Sequence, residues 1–101
     1  MRIINRGRGQ GKSLQLLYVS EATGYRIICG SFGGAKDLKK RAEELGLNIP
    51  EPMTYISYAD LKGIHEEKIL IDNVEEILDK VLSVYFKRDV CAVTMSIPMK
   101  E

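Results

Sequence analysis

Histidine and cysteine are scarce in this chain, with one His and two Cys among 101 residues. A structural zinc site needs four ligands brought together, and Cys29, His65 and Cys91 are too few and too far apart in the sequence to supply one. Both cysteines sit in apolar, β-branched stretches, where the expected state is a reduced thiol in the core. Long apolar runs are also missing. None approaches the roughly 20 residues that cross a bilayer, and Met1-Arg2-Ile3-Ile4-Asn5 turns polar too early for a signal peptide. The expectation is a cytoplasmic protein without a membrane partner. A charge excess is lacking as well, because 15 Lys and Arg against 14 Asp and Glu leave a net charge of +1. A dedicated nucleic-acid binder shows a basic surplus, so any contact with DNA or RNA here must be local. No repeat and no linker breaks the chain, and its length supports one hydrophobic core and one domain.

The residues that are present fall into alternating short apolar runs and helical patterns. Arg2-Ile3-Ile4 reads as a brief buried strand running into the glycines Gly7, Gly9 and Gly11. Residues 12–23 are mostly good helix formers, stopped by Gly24. Residues 25–29 read as a second strand, closed by Gly30 and the pair Gly33-Gly34. Ala35, Leu38, Ala42 and Leu45 then recur at helical spacing, with Gly46 just beyond. After a loop at 48–52, Thr54-Tyr55-Ile56-Ser57 reads as a third strand and residues 68–72 as a fourth. Val74, Ile77, Leu78, Val81, Leu82 and Tyr85 form an apolar helical stripe, with Glu75, Glu76, Asp79, Lys80 and Ser83 facing away. Residues 90–95 make a fifth strand. Continuous apolar strands alternating with helices predict an α/β fold of three layers: a mainly parallel sheet of about five strands flanked by helices. Ligands of such sheets bind at the carboxyl ends of the strands. The loops at 5–13 and after Asp72 leave that edge.

The first of these loops has phosphate chemistry written into it. Glycines let the backbone curl so that successive N–H groups converge, and the following helix adds the positive end of its dipole. Gly11-Lys12-Ser13 supplies, in order, the last turn, a cation for the outer phosphates and a hydroxyl for magnesium. The full spacing asks for glycine five residues before Gly11, where this chain has Arg6, and Gly7 comes one residue late. The alternative reading is a glycine-rich turn with a solvated lysine. The second loop follows Ile69-Leu70-Ile71-Asp72, an apolar run ending in a carboxylate. Asp72 at the tip of a buried strand is placed to hold magnesium beside Ser13. Alternatively, Asp72 or Asn73 caps the helix that begins near Val74.

With these residues in hand, the chain resembles P-loop NTPases. The order of elements is similar to the nucleotide-binding lobe of RecA-like ATPases, including helicases and the large terminase subunits of tailed phages. Arg8-Gly9-Gln10-Gly11-Lys12-Ser13 resembles the terminase phosphate loop, and Ile69-Leu70-Ile71-Asp72 the Walker B element. The resemblance implies ATP or another NTP with Mg2+ as ligands. Arg8, Gly9, Gln10, Gly11, Lys12 and Ser13 would hold phosphate, and Ser13 and Asp72 the metal. Thr94 and Ser96 lie where relatives sense the γ-phosphate. Many relatives follow the aspartate with a glutamate that polarises water. Asn73 stands there instead, leaving Glu75 and Glu76 as the nearby carboxylates, which also suit a first helical turn. A second lobe, a nuclease domain and an arginine finger after Ser96 are missing from the pattern.

Two function classes follow, and loss of function stands beside them. One is an NTP-binding protein with weak or partner-dependent hydrolysis, a phage or mobile-element accessory in nucleic-acid transactions. The other is a non-catalytic binding module, such as a phage-encoded regulator or inhibitor of a host protein. Decay of nucleotide binding, marked by Arg6, is a third. Oligomerisation would let a neighbour's Arg41 or Arg88 complete the site. Arg6 and Arg8 flank the loop and are candidate phosphate contacts. Lys36, Lys39, Lys40 and Arg41 read as a solvated face paired with Glu43 and Glu44. Tyr55 and Tyr58 are rim packing or base-stacking residues.

Overall fold

The computed structural model describes residues 11–61, 63, 66, 68–89 and 91–92, of residues 11 and 12 the backbone only. Within them the elements run α1 (Gly11–Thr23), β1 (Arg26–Cys29), α2 (Phe32–Glu44), β2 (Met53–Thr54), α3 (Tyr55–Asp60), β3 (Ile69–Ile71) and α4 (Val74–Phe86). The three strands form a parallel sheet in the order β2-β1-β3. The α/β class and parallel pairing agree with the sequence reading. The strands expected at Arg2-Ile3-Ile4 and 90–95 lie outside the described residues, except that Cys91 and Ala92 belong to no strand.

β1 is central because its sequence is apolar on both faces, and Ile27, Ile28 and Cys29 are all buried. Leu16 and Leu17 of α1 and Ala35, Leu38 and Ala42 of α2 cover Ile27 and Cys29, with Leu47, Ile49 and Leu70 packed at the margin. Ser20 is fully buried in this core, and its hydroxyl donates to the Tyr25 carbonyl at 2.6 Å, so that hydroxyl is not stranded. Glycines close both helices in left-handed turns. Gly24 (φ 78°) donates to Ser20 O at 2.8 Å, and Gly46 (φ 71°) follows α2.

Several local expectations are overturned. Gly33-Gly34 does not close β1 but lies in the first turn of α2. Ser31 caps that helix by accepting from Gly34 N at 3.1 Å, and a Cβ at residue 34 would come within 3.1 Å of the same hydroxyl. The third strand is only Met53–Thr54. Thr54 accepts from Ser57 N at 3.1 Å, and this N-cap bond turns Tyr55, Ile56 and Ser57 into helix despite their strand propensity. Tyr55 and Tyr58 are half-buried on that short helix. The helix predicted after Asp72 forms, but none of its residues is buried. Val74, Val81 and Tyr85 of the apolar stripe are exposed, whereas Glu76, Lys80 and Ser83, expected to face away, are half-buried. Periodicity fixes which residues share a face, not what covers that face. Cys29 is buried as expected but Cys91 is exposed. Lys39 pairs with Glu51 at 3.2 Å rather than with Glu43. No helix among the described residues is long and apolar enough to cross a membrane.

Candidate functional site

Three chain segments meet at the carboxyl edge of the sheet. The β1–β3 register sets Ile28 beside Ile71, and Asp72 N donates to Ile28 O at 3.0 Å, which extends the ladder past the strand end. Asp72 is thereby fixed next to Cys29. From the first turn of α1, the Ser13 hydroxyl donates to the Asp72 carboxylate at 3.3 Å (Oδ1) and 3.4 Å (Oδ2) across 59 residues of sequence. Both groups are half-buried. The two sequence motifs thus converge through one hydroxyl and one carboxylate.

The thiol of Cys29 reports the local electrostatics. It is pushed up to about 12, first by burial and then by the negative charges of Asp72 and Glu76, which disfavour a thiolate beside them. Glu76 comes from the first turn of α4 and lies against Gly30, where a Cβ would stand 2.5 Å from its Oε1. Lys80, one turn further along α4, donates to Gly30 O at 2.7 Å. Asn73 introduces this helix in a left-handed conformation (φ 58°, ψ 64°) without a side-chain cap bond, so the capping alternative for Asn73 does not hold. Glu75 is exposed, and Glu76 is the carboxylate brought toward the strand ends.

A cleft of about 430 Å³ opens beside the Ser13–Asp72 pair. Both residues line it together with Asp37, Lys40, Arg41 and Glu44 of α2. A hydroxyl and a carboxylate side by side make a hard oxygen pair suited to magnesium, which normally keeps several waters and takes its other ligands from substrate phosphate. Among the described residues no group of three or more His, Cys, Asp and Glu could hold a metal by itself. A cation at such a pair would take most of its ligands from water and a bound phosphate.

Of the sequence candidates, Gly11 and Lys12 sit in the first turn of α1, where their backbone is at the helix amino end. Arg6, Arg8, Gly9, Gln10, His65, Thr94 and Ser96 lie outside the described residues. Arg88 is exposed and donates to the Lys87 carbonyl at 2.8 Å. Sequence reasoning missed Gly30, Lys80 and the cleft-lining face of α2. The spacing of Gly34, Asp37, Leu38, Arg41 and Glu44 already puts those residues in one helical stripe, but polar members of a stripe do not reveal a cleft. Comparison with known proteins finds no match: no family model, no curated protein and no solved structure.

Proposed function

We propose that this chain binds a nucleoside triphosphate, ATP in the first instance, through the loop Arg8-Gly9-Gln10-Gly11-Lys12-Ser13, with Mg2+ held by Ser13 and Asp72. The observation that carries the reading is the hydrogen bond between Ser13 and Asp72. A phosphate-binding helix terminus and a magnesium-binding carboxylate are useful to each other only at such a distance. Backbone N–H groups at the start of α1 and the Lys12 ammonium neutralise phosphate charge, and the bound cation screens it further. Within this reading the sheet is the core of a five-stranded, three-layer P-loop fold. The exposed Ile69 and Ile71 of β3 are apolar surface that a further strand would cover.

Hydrolysis in this proposal is weak or partner-dependent. Asn73 follows the aspartate and cannot take a proton from water, and Glu76 is turned toward Gly30. The setting is an accessory role in nucleic-acid transactions of a phage or mobile element, drawn from the terminase-like loop. Asn73 also favours a second reading, a non-catalytic module that uses bound nucleotide to regulate or inhibit a host protein.

Thermal unfolding with Mg-ATP and Mg-GTP tests the binding claim. Ligand at about a hundred times its dissociation constant adds roughly 2.7 kcal/mol to a protein that binds only when folded. The shift should vanish in Lys12→Ala and shrink in Ser13→Ala. Absence of any shift with either nucleotide sinks the proposal. Turnover in the wild type that Lys12→Ala abolishes selects the first reading over the second.

A further inference from the structure

The phosphate end of the site leaves the rest of the cleft unassigned. α2 follows directly from the carboxyl end of β1, so its first turn stands near Asp72 and its last turn lies farthest away. From Gly34 to Glu44 it runs about 15 Å at 1.5 Å per residue. Asp37, Lys40, Arg41 and Glu44 line the cleft along that length, and buried Leu38 contributes an apolar patch among them. The Arg41 guanidinium is on a half-buried residue, yet it makes no hydrogen bond or ion pair among the described residues, and neither do the carboxylates of Asp37 and Glu44. Four charged side chains, Asp37, Lys40 and Glu44 on exposed residues and Arg41 on a half-buried one, thus line one wall of a cavity whose volume falls in the range of small-ligand sites.

We propose that this face of α2 recognises the nucleoside part of the ligand whose phosphates sit at Ser13 and Asp72; the inference rests on the nucleotide reading above. Asp37, nearer the strand ends, accepts hydrogen bonds from the ribose hydroxyls. Arg41 stacks its planar guanidinium on the base, and Glu44 accepts from an exocyclic amine. The two carboxylates on this wall decide against the competing occupant. A nucleic-acid backbone carries a negative charge at every step and would meet Asp37 and Glu44 repulsively, whereas a single nucleoside offers donors, a flat π-face and no further charge.

Equilibrium titration of the full chain with Mg-ATP and with magnesium tripolyphosphate separates the two ends of the site. The wild type should prefer ATP by about tenfold or more, the worth of one or two hydrogen bonds to charged groups. Arg41→Ala and Asp37→Asn should each lower ATP affinity about tenfold and leave tripolyphosphate affinity unchanged, and the unchanged tripolyphosphate binding also shows that the variant is folded. Equal wild-type affinities for the two ligands, or equal losses for both in the variants, overturn the α2 assignment while leaving phosphate binding intact. Failure of both ligands to bind overturns the nucleotide reading and this inference with it. Loss of single-stranded oligonucleotide binding in Arg41→Ala, with ATP affinity unaltered, would assign the wall to nucleic acid instead.

Discussion

Gly30→Ala probes the contact that brings α4 to the site. Gly30 is buried and has no unusual backbone angle, so alanine is acceptable to the main chain; the obstacle is Glu76. The new methyl carbon would stand 2.5 Å from Glu76 Oε1, 2.8 Å from Cγ and 3.0 Å from Cδ. Swinging the carboxylate away removes the first of these clashes but not the second, since Cγ is only one bond beyond Cβ. Lys80, bonded to Gly30 O at 2.7 Å, resists a shift of the helix as a whole. Overpacking of this kind costs about 1–3 kcal/mol, offset by about 0.4–1 kcal/mol from the stiffer unfolded chain. The net expectation is a loss of about 1–2 kcal/mol, or roughly 5–15 °C in Tm for a domain near this size. In a Glu76→Ala background the methyl has room, so the same substitution should become neutral or slightly stabilising. Urea unfolding of wild type, both single variants and the double variant, followed by far-UV circular dichroism, gives the coupling free energy. Equal cost of Gly30→Ala in the two backgrounds would refute the packing argument.

Two further expectations concern the core beneath the site. In the native protein a thiol reagent at mildly alkaline pH should modify exposed Cys91 and spare Cys29, with Cys29 reacting only after denaturation; rapid native labelling of both would contradict the burial and charge assigned to Cys29. The raised thiol pKa also has a sign: its contribution to stability is complete below the unfolded value of 9.0 and is lost as pH rises toward about 12, so Cys29→Ala should flatten the alkaline fall in unfolding free energy. Ile27→Ala, at a fully buried position on the central strand, should cost about 2–5 kcal/mol in urea unfolding, and a loss below 1 kcal/mol would show that β1 is not the centre of the core.

The elements that sequence alone determined are those whose signals are local. Helical spacing of Ala35, Leu38 and Ala42, the stop glycines Gly24 and Gly46, and the apolar runs at Ile27-Ile28 and Ile69-Ile71 each follow from interactions within a few residues, and the structure reproduces them. Gly11-Lys12-Ser13 and Asp72 were legible as candidates for the same reason, because a motif is a short-range pattern. Tertiary structure alone decided two things. It placed Ser13 within hydrogen-bond distance of Asp72, because strand register and the entry of α1 set that distance and neither is encoded near either residue. It brought Glu76 and Lys80 against Gly30 while leaving half the predicted apolar stripe of α4 exposed, because burial depends on what the fold lays over a face and periodicity carries no information about that.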